Sequence, residues 1–153
     1  MSGFMDRRAR LLLLTHIAAT VFMTGVIWFV QIVHYPLLTF IGPAMFAAYE
    51  RANIARTAAV VGPVMILEAL TAILLIARRP AKVRKGEAWL GIVLLAIIWG
   101  STALFQFPAH EALISGFDAE LITKLTLSNW LRTALWSARA LLVLRMGSHS
   151  LKG

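Results

Sequence analysis

The chain contains no cysteine. That excludes a disulfide framework, a thiolate metal site and a cysteine nucleophile. Acids are scarce too: seven Asp and Glu stand against fifteen Lys and Arg, with four His, in 153 residues. Any metal would have to be held by this small set of carboxylates and imidazoles, and no His-x-x-x-His or Glu-x-x-His spacing offers one. Charge of either sign is missing from long stretches. What fills them is apolar: 59% of residues are hydrophobic and the mean hydropathy is +0.78, well above soluble norms. A net charge of +8 would suit nucleic acid as a partner. The basic residues cluster at the ends of apolar runs, however, where lipid headgroups lie, so the expected partner is a lipid bilayer and no nucleic acid.

A helix needs about 20 apolar residues to cross a hydrocarbon core of roughly 30 Å. Four stretches qualify, at residues 11–33, 55–77, 88–107 and 127–144. The fourth carries Asn129, Arg132 and Arg139, and is a reasonable span only if those residues face the interior of a bundle. The first has the basic start of a signal peptide, but its apolar run is too long and no small-residue cleavage site follows, so it reads as an uncleaved anchor. Arg7, Arg8, Arg10, Arg78, Arg79, Lys82, Arg84, Lys85, Arg145 and Lys152 fall on one side of the four spans. Arg51, Arg56, Lys124 and Arg132 fall on the other, among Glu50, Glu111, Asp118 and Glu120. The positive-inside rule then places both termini in the cytoplasm and the connections 35–54 and 108–126 outside, in an inner (plasma) membrane.

The two halves resemble each other. The first reads Trp28…His34-Tyr35-Pro36 and, after a connection, Asn53-Ile54-Ala55-Arg56-Thr57-Ala58. The second reads Trp99…Gln106-Phe107-Pro108 and then Asn129-Trp130-Leu131-Arg132-Thr133-Ala134. Each half is thus expected to be a helix, an aromatic-Pro stop, an outer connection and an Asn-x-x-Arg-Thr-Ala helix start. The expected fold is all-α: a polytopic membrane four-helix bundle of two pseudo-repeated hairpins in one domain, with a pseudo-twofold axis along the membrane normal. Pro43 to Arg56 reads as an amphipathic interfacial helix, and Gly62-Pro63 as a kink in the second span.

Helical spacing lines up the polar residues. His16, Thr20, Thr24, Gln31 and His34 share a face of the first helix; Trp99, Thr102, Gln106 and His110 share one on the third; Asn129, Arg132, Trp136 and Arg139 share one on the fourth. Two layers result. The outer layer holds His34, Asn53, Arg56, Gln106, His110, Asn129 and Arg132. The deeper layer holds Glu68, Arg139 and His16. Glu68 with Arg139 is either an ion pair that fixes helix packing or a proton or ligand site. His34 and His110, with Glu50 or Glu111, could ligate a metal, and His16 or His34 a haem; a metal, a haem or no cofactor are all open. Each Asn-x-x-Arg is either a cap with a snorkelling Arg or part of a convergent pair, Arg56 and Arg132, for an anionic oxygen. Trp28 and Trp136 either stack on a ligand or act as ordinary interfacial tryptophans.

The segment Asn129-Trp130-Leu131-Arg132-Thr133, in a chain of this length and span count, resembles the anthrone-oxygenase-like family of small four-helix membrane proteins. That resemblance implies oxidation of a lipophilic aromatic compound in a reaction that need not involve a metal. Two functional classes stand side by side. One is an oxidoreductase for an aromatic or quinone-like molecule, with Arg132 and Arg56 on an oxyanion and His34 or His110 moving protons. The other is a non-catalytic subunit or small transporter module, acting as a homodimer or within a larger membrane complex.

Overall fold

Four long helices account for nearly the whole chain. The computed structural model describes residues 2–151, and the side chains of residues 7–150. Helix α1 (Ser2–Phe29) continues through a π-helical turn, Val30–His34, into short helical turns at Tyr35–Leu37 and Leu38–Phe40. Helix α2 is Pro43–Arg78. Helix α3 (Lys85–Ser101) continues through a second π-helical turn, Thr102–Gln106, into Phe107–Leu113. Helix α4 is Ala119–Leu151. Neighbours in the bundle are α1 with α2, α2 with α3, α3 with α4 and α4 with α1. The bundle therefore has a terminal end, holding the start of α1, the end of α4 and the connection 79–84, and a distal end, holding the connections 41–42 and 114–118.

Local chemistry sets the helix limits. Pro43 stands at the first position of α2 behind an extended Gly42, where a missing N–H costs nothing. The Arg79 side chain folds back onto the carbonyls of Ile76 and Val83 and closes the other end. Asp118 caps α4 by accepting the Leu121 N–H at 2.9 Å. Gly116, at φ 150°, makes the turn that leads into it.

The helices outrun the expected spans because proline does not stop them. Within an α-helix the Pro36 ring would meet the carbonyl of residue 32, and that carbonyl would lose its donor. The π turn widens the helix there: the Tyr35 N–H reaches back five residues to Val30, and the Phe107 N–H reaches back to Thr102. Both aromatic-Pro steps are thus passed in the same way at matching places. The Asn-x-x-Arg-Thr-Ala copies are likewise not helix starts. Each begins ten residues into its helix, Asn53 after Pro43 and Asn129 after Ala119. The segment read as a separate interfacial helix, Pro43 to Arg56, is the first part of α2, which runs on unbroken through Pro63.

Among the described residues, Arg7–Phe40, Pro43–Arg78 and Lys85–Leu113 are long and apolar enough to cross a membrane. Helix α4 is long enough but more polar. Apolar packing comes in three layers. Leu13, Leu75, Val83, Val143 and Met146 pack at the terminal end; Met23, Ile27, Ile98 and Trp136 pack midway; Tyr35, Leu38, Phe46, Leu113, Ile122 and Leu125 pack at the distal end. Polar side chains occupy the spaces between these layers.

Candidate functional site

Between the terminal and middle layers lies one polar knot. Glu68 and Arg139 are fully buried and joined by Nη2 to Oε1 at 2.9 Å and Nε to Oε1 at 3.1 Å. Thr20 donates to Glu68 Oε1 at 2.8 Å, Trp136 Nε1 donates to Oε2 at 3.2 Å, and Arg139 Nη1 donates to the Gly91 carbonyl. The residues come from all four helices. Beside them His16 Nδ1 meets the Thr71 hydroxyl at 2.8 Å. A carboxylate and a guanidinium so fully partnered act as a cross-link between helices. Removing either one would leave a buried charge at a cost of about 3–5 kcal/mol.

Between the middle and distal layers the bundle is hollow. A cavity of about 490 Å³ lies between α1, α2 and α3, within the range of small-molecule sites. Its walls are apolar: Met23, Val26, Ile27 and Val30 from α1 and its π turn, Ile54, Val61 and Met65 from α2, Trp99 and Ala103 from α3 and its π turn. Its polar residues gather toward the distal end: His34, Tyr35, Asn53, Thr57, Gln106, His110, Glu111 and, from α4, Arg132.

These groups form a relay. The buried Glu50 carboxyl accepts from His110 Nδ1 in a short contact. That contact leaves Nε2 as the acceptor for the Tyr35 hydroxyl, at 3.0 Å. The hydroxyl in turn lies close enough to the Arg132 guanidinium to interact with it. Asn53 supports the relay by donating to Glu50 Oε2 at 3.2 Å, and Thr57 donates to Asn53 Oδ1 at 3.1 Å. Arg132 is 8% exposed, donates to Asn129 Oδ1 at 3.0 Å and lies over the Trp136 ring. Among the described residues no carboxylate pairs with it, and its Nε has no hydrogen-bond partner. Gln106 donates to Ser128 at 3.2 Å, while its buried Oε1 is also without a partner. Buried donors and acceptors are nearly always satisfied, and both of these orphans belong to residues that line the cavity.

The two seams that the pseudo-repeat makes equivalent are unlike. In the α1–α4 seam, Gln31 is 2% exposed and bridges the helices. Its Oε1 accepts from Asn129 Nδ2 at 2.9 Å and Thr133 Oγ1 at 3.3 Å, and its Nε2 donates to the Thr126 carbonyl at 3.2 Å. Gln31 is the second residue of its π turn. The second residue of the other π turn is Ala103, which can bridge nothing. On the other side of the cavity Thr57 donates to Asn53 and Asn53 to Glu50, Asn53 is half-buried and Thr57 exposed, and the α2–α3 seam borders the cavity.

The expected site residues separate accordingly. His34, Asn53, Gln106, His110 and Arg132 line the cavity, and Asn129 stands behind Arg132. Arg56 does not converge with Arg132; it is exposed on α2. Glu68, Arg139 and Trp136 are buried in or beside the knot and do not line the cavity. Trp28 faces α4, where it donates to Ser137 at 3.0 Å and stands edge-on to Trp130. Glu50 and His110 are in contact, but with His34 they form no metal-ligating group, and no cluster of three such residues occurs among the described residues. Tyr35 escaped notice as a site residue although it belongs to the repeated motif. Its counterpart Phe107 lacks the hydroxyl, and that difference was the available signal. No protein-family model, curated protein or solved structure matches this chain.

Proposed function

We propose that the protein is a four-span membrane protein, with both termini in the cytoplasm, that binds a lipophilic molecule with an acidic oxygen in the distal cavity. One observation carries the reading: a buried guanidinium without a carboxylate, Arg132, opens onto an apolar cavity beside the Tyr35–His110–Glu50 relay. Burial supports the fourth span: α4 turns Asn129, Arg132, Thr133 and Arg139 inward and leaves Leu127, Leu131, Leu141 and Leu144 outward. An oxyanion against Arg132 satisfies the orphan Nε, and a second hydroxyl or N–H on the ligand suits the free Gln106 oxygen. The apolar walls hold the rest of the molecule.

The arrangement can move a proton. Tyr35 takes one from the ligand as its own passes to His110 Nε2, and Glu50 stabilises the imidazolium. This is the proton half of oxidising an aromatic or quinone-like compound, which agrees with the resemblance to anthrone-oxygenase-like proteins. The electrons need an acceptor from outside the chain, and dioxygen, which dissolves in lipid, is of the right class. The test is native mass spectrometry of protein extracted in lipid nanodiscs. Wild type and Arg56→Gln are expected to retain the same small lipophilic acid, and Arg132→Gln to lose it. Bilayer lipid alone, in equal amounts with all three proteins, would overturn the reading.

A further inference from the structure

The cavity is reached from the side, and a single position opens it. We infer that Ala103 is the specificity-determining residue of the site: it leaves the α2–α3 seam open as a lateral portal through which a lipid-dissolved acid slides, polar end first, to Arg132. The inference rests on the binding reading above and adds how the ligand arrives and what admits it.

The contrast with the other seam carries the inference. Both π turns sit in the same place in their halves; Gln31 of the first bonds the segment 129–134, and Ala103 of the second shares the cavity wall with Asn53 and Thr57. Where the second π residue is Gln31, its amide holds Asn129 and Thr133 and the seam is shut, with all three side chains buried. Where it is Ala103, the side chain is one methyl group, Thr57 and Ala103 are exposed, and both line the cavity. An open seam in contact with lipid admits molecules that partition into the bilayer. The cavity joins apolar walls to polar groups gathered at its distal end, so a ligand needs an apolar body and one acidic end.

The chain provides its own reporters. Met23 and Met65 line the cavity, whereas Met45 is 66% exposed and outside it. The probe is 4-benzoylbenzoic acid, a lipid-soluble aromatic acid whose excited ketone abstracts hydrogen from a nearby methionine side chain and then joins it by a carbon–carbon bond. Peptide mass spectrometry after irradiation in nanodiscs reads the ratio of adducts at Met23 and Met65 to those at Met45. In wild type the cavity methionines are expected to dominate. Arg132→Gln should lower the ratio about tenfold or more by removing a charge-assisted hydrogen bond. Ala103→Gln, which restores the bridging amide opposite Asn53 and Thr57, should lower it by a similar factor with Arg132 intact. Ala103→Leu covers the case in which the Gln variant fails to fold, because an apolar side chain suits that lipid-exposed position and narrows the same gap. If Arg132→Gln loses labelling while both Ala103 variants keep it, the site stands and the portal is overturned. If wild type shows no preference for Met23 and Met65 over Met45, the binding reading itself falls.

Discussion

The α1–α4 and α2–α3 seams are built from the same repeated segments and end in opposite states. One is closed and bridged by Gln31; the other is parted around a cavity of about 490 Å³. The backbones match at the π turns, which fall at corresponding places in the two halves. The seam that closes is the one that carries a bridging amide. The halves also differ in what their arginines do: Arg132 is buried at the cavity and Arg56 is exposed. On the proposed reading, the closed seam serves stability and the parted one serves binding.

The largest expected effect comes from the knot that holds both seams at depth. Glu68→Ala or Arg139→Ala should each destabilise the bundle by about 3–5 kcal/mol, the cost of an orphaned buried charge, and thermal unfolding in detergent should show loss of most folded protein. The joint change Glu68→Gln with Arg139→Met should recover much of that loss, because neither charge is then stranded. Next comes the closed seam. Gln31→Ala leaves Asn129 and Thr133 without their shared acceptor and should cost about 1–3 kcal/mol in the same unfolding measurement. Ala103→Gln, the reciprocal change, should leave stability unchanged or raise it. Equal losses from both substitutions would erase the distinction between the seams.

Smaller effects sharpen the open seam. Tyr35→Phe keeps the packing against Leu38 and Phe46 but removes the hydroxyl from the relay. Ligand retention is expected to fall by less than in Arg132→Gln, while any turnover of a phenolic or enolic substrate should fall about 100-fold or more, as for loss of a general acid–base group. The least effect should come from Arg56→Gln, with neither thermal stability nor retained ligand changed. A loss of ligand from Arg56→Gln equal to that from Arg132→Gln would show that the two arginines act together after all.

Much of the frame was legible in the sequence. Apolar runs gave four helices, and the paired Asn-x-x-Arg-Thr-Ala segments gave the two halves and the end of the bundle where polar groups collect. The proline steps misled, because a π turn passes a proline by shifting its hydrogen bonds one residue, which no composition or spacing reveals. The helix starts were placed too late for a related reason: Pro43 and Asp118, ordinary helix-start residues, lie ten or more residues ahead of the repeated Asn. The arginines could not be told apart from their own segments, which share Asn, Arg, Thr and Ala in register. The residues that separate them, Gln31 and Ala103, lie on other helices, and their pairing appears only once the bundle is assembled. Glu68 and Arg139 were recognisable as a buried pair by their depth; that Thr20, Trp136 and Gly91 complete it required the packing.

The most direct test is a pair of distance measurements across the two seams. Because the chain has no cysteine, nitroxide pairs can be introduced at lipid-facing positions of α1 and α4, and of α2 and α3, without removing native thiols. Pulsed electron spin resonance in nanodiscs should give one narrow distance distribution across α1–α4. Across α2–α3 it should give a broader one that narrows when Ala103 is replaced by Gln. Two equally narrow distributions, both indifferent to Ala103→Gln, would contradict the view that this seam is an open site.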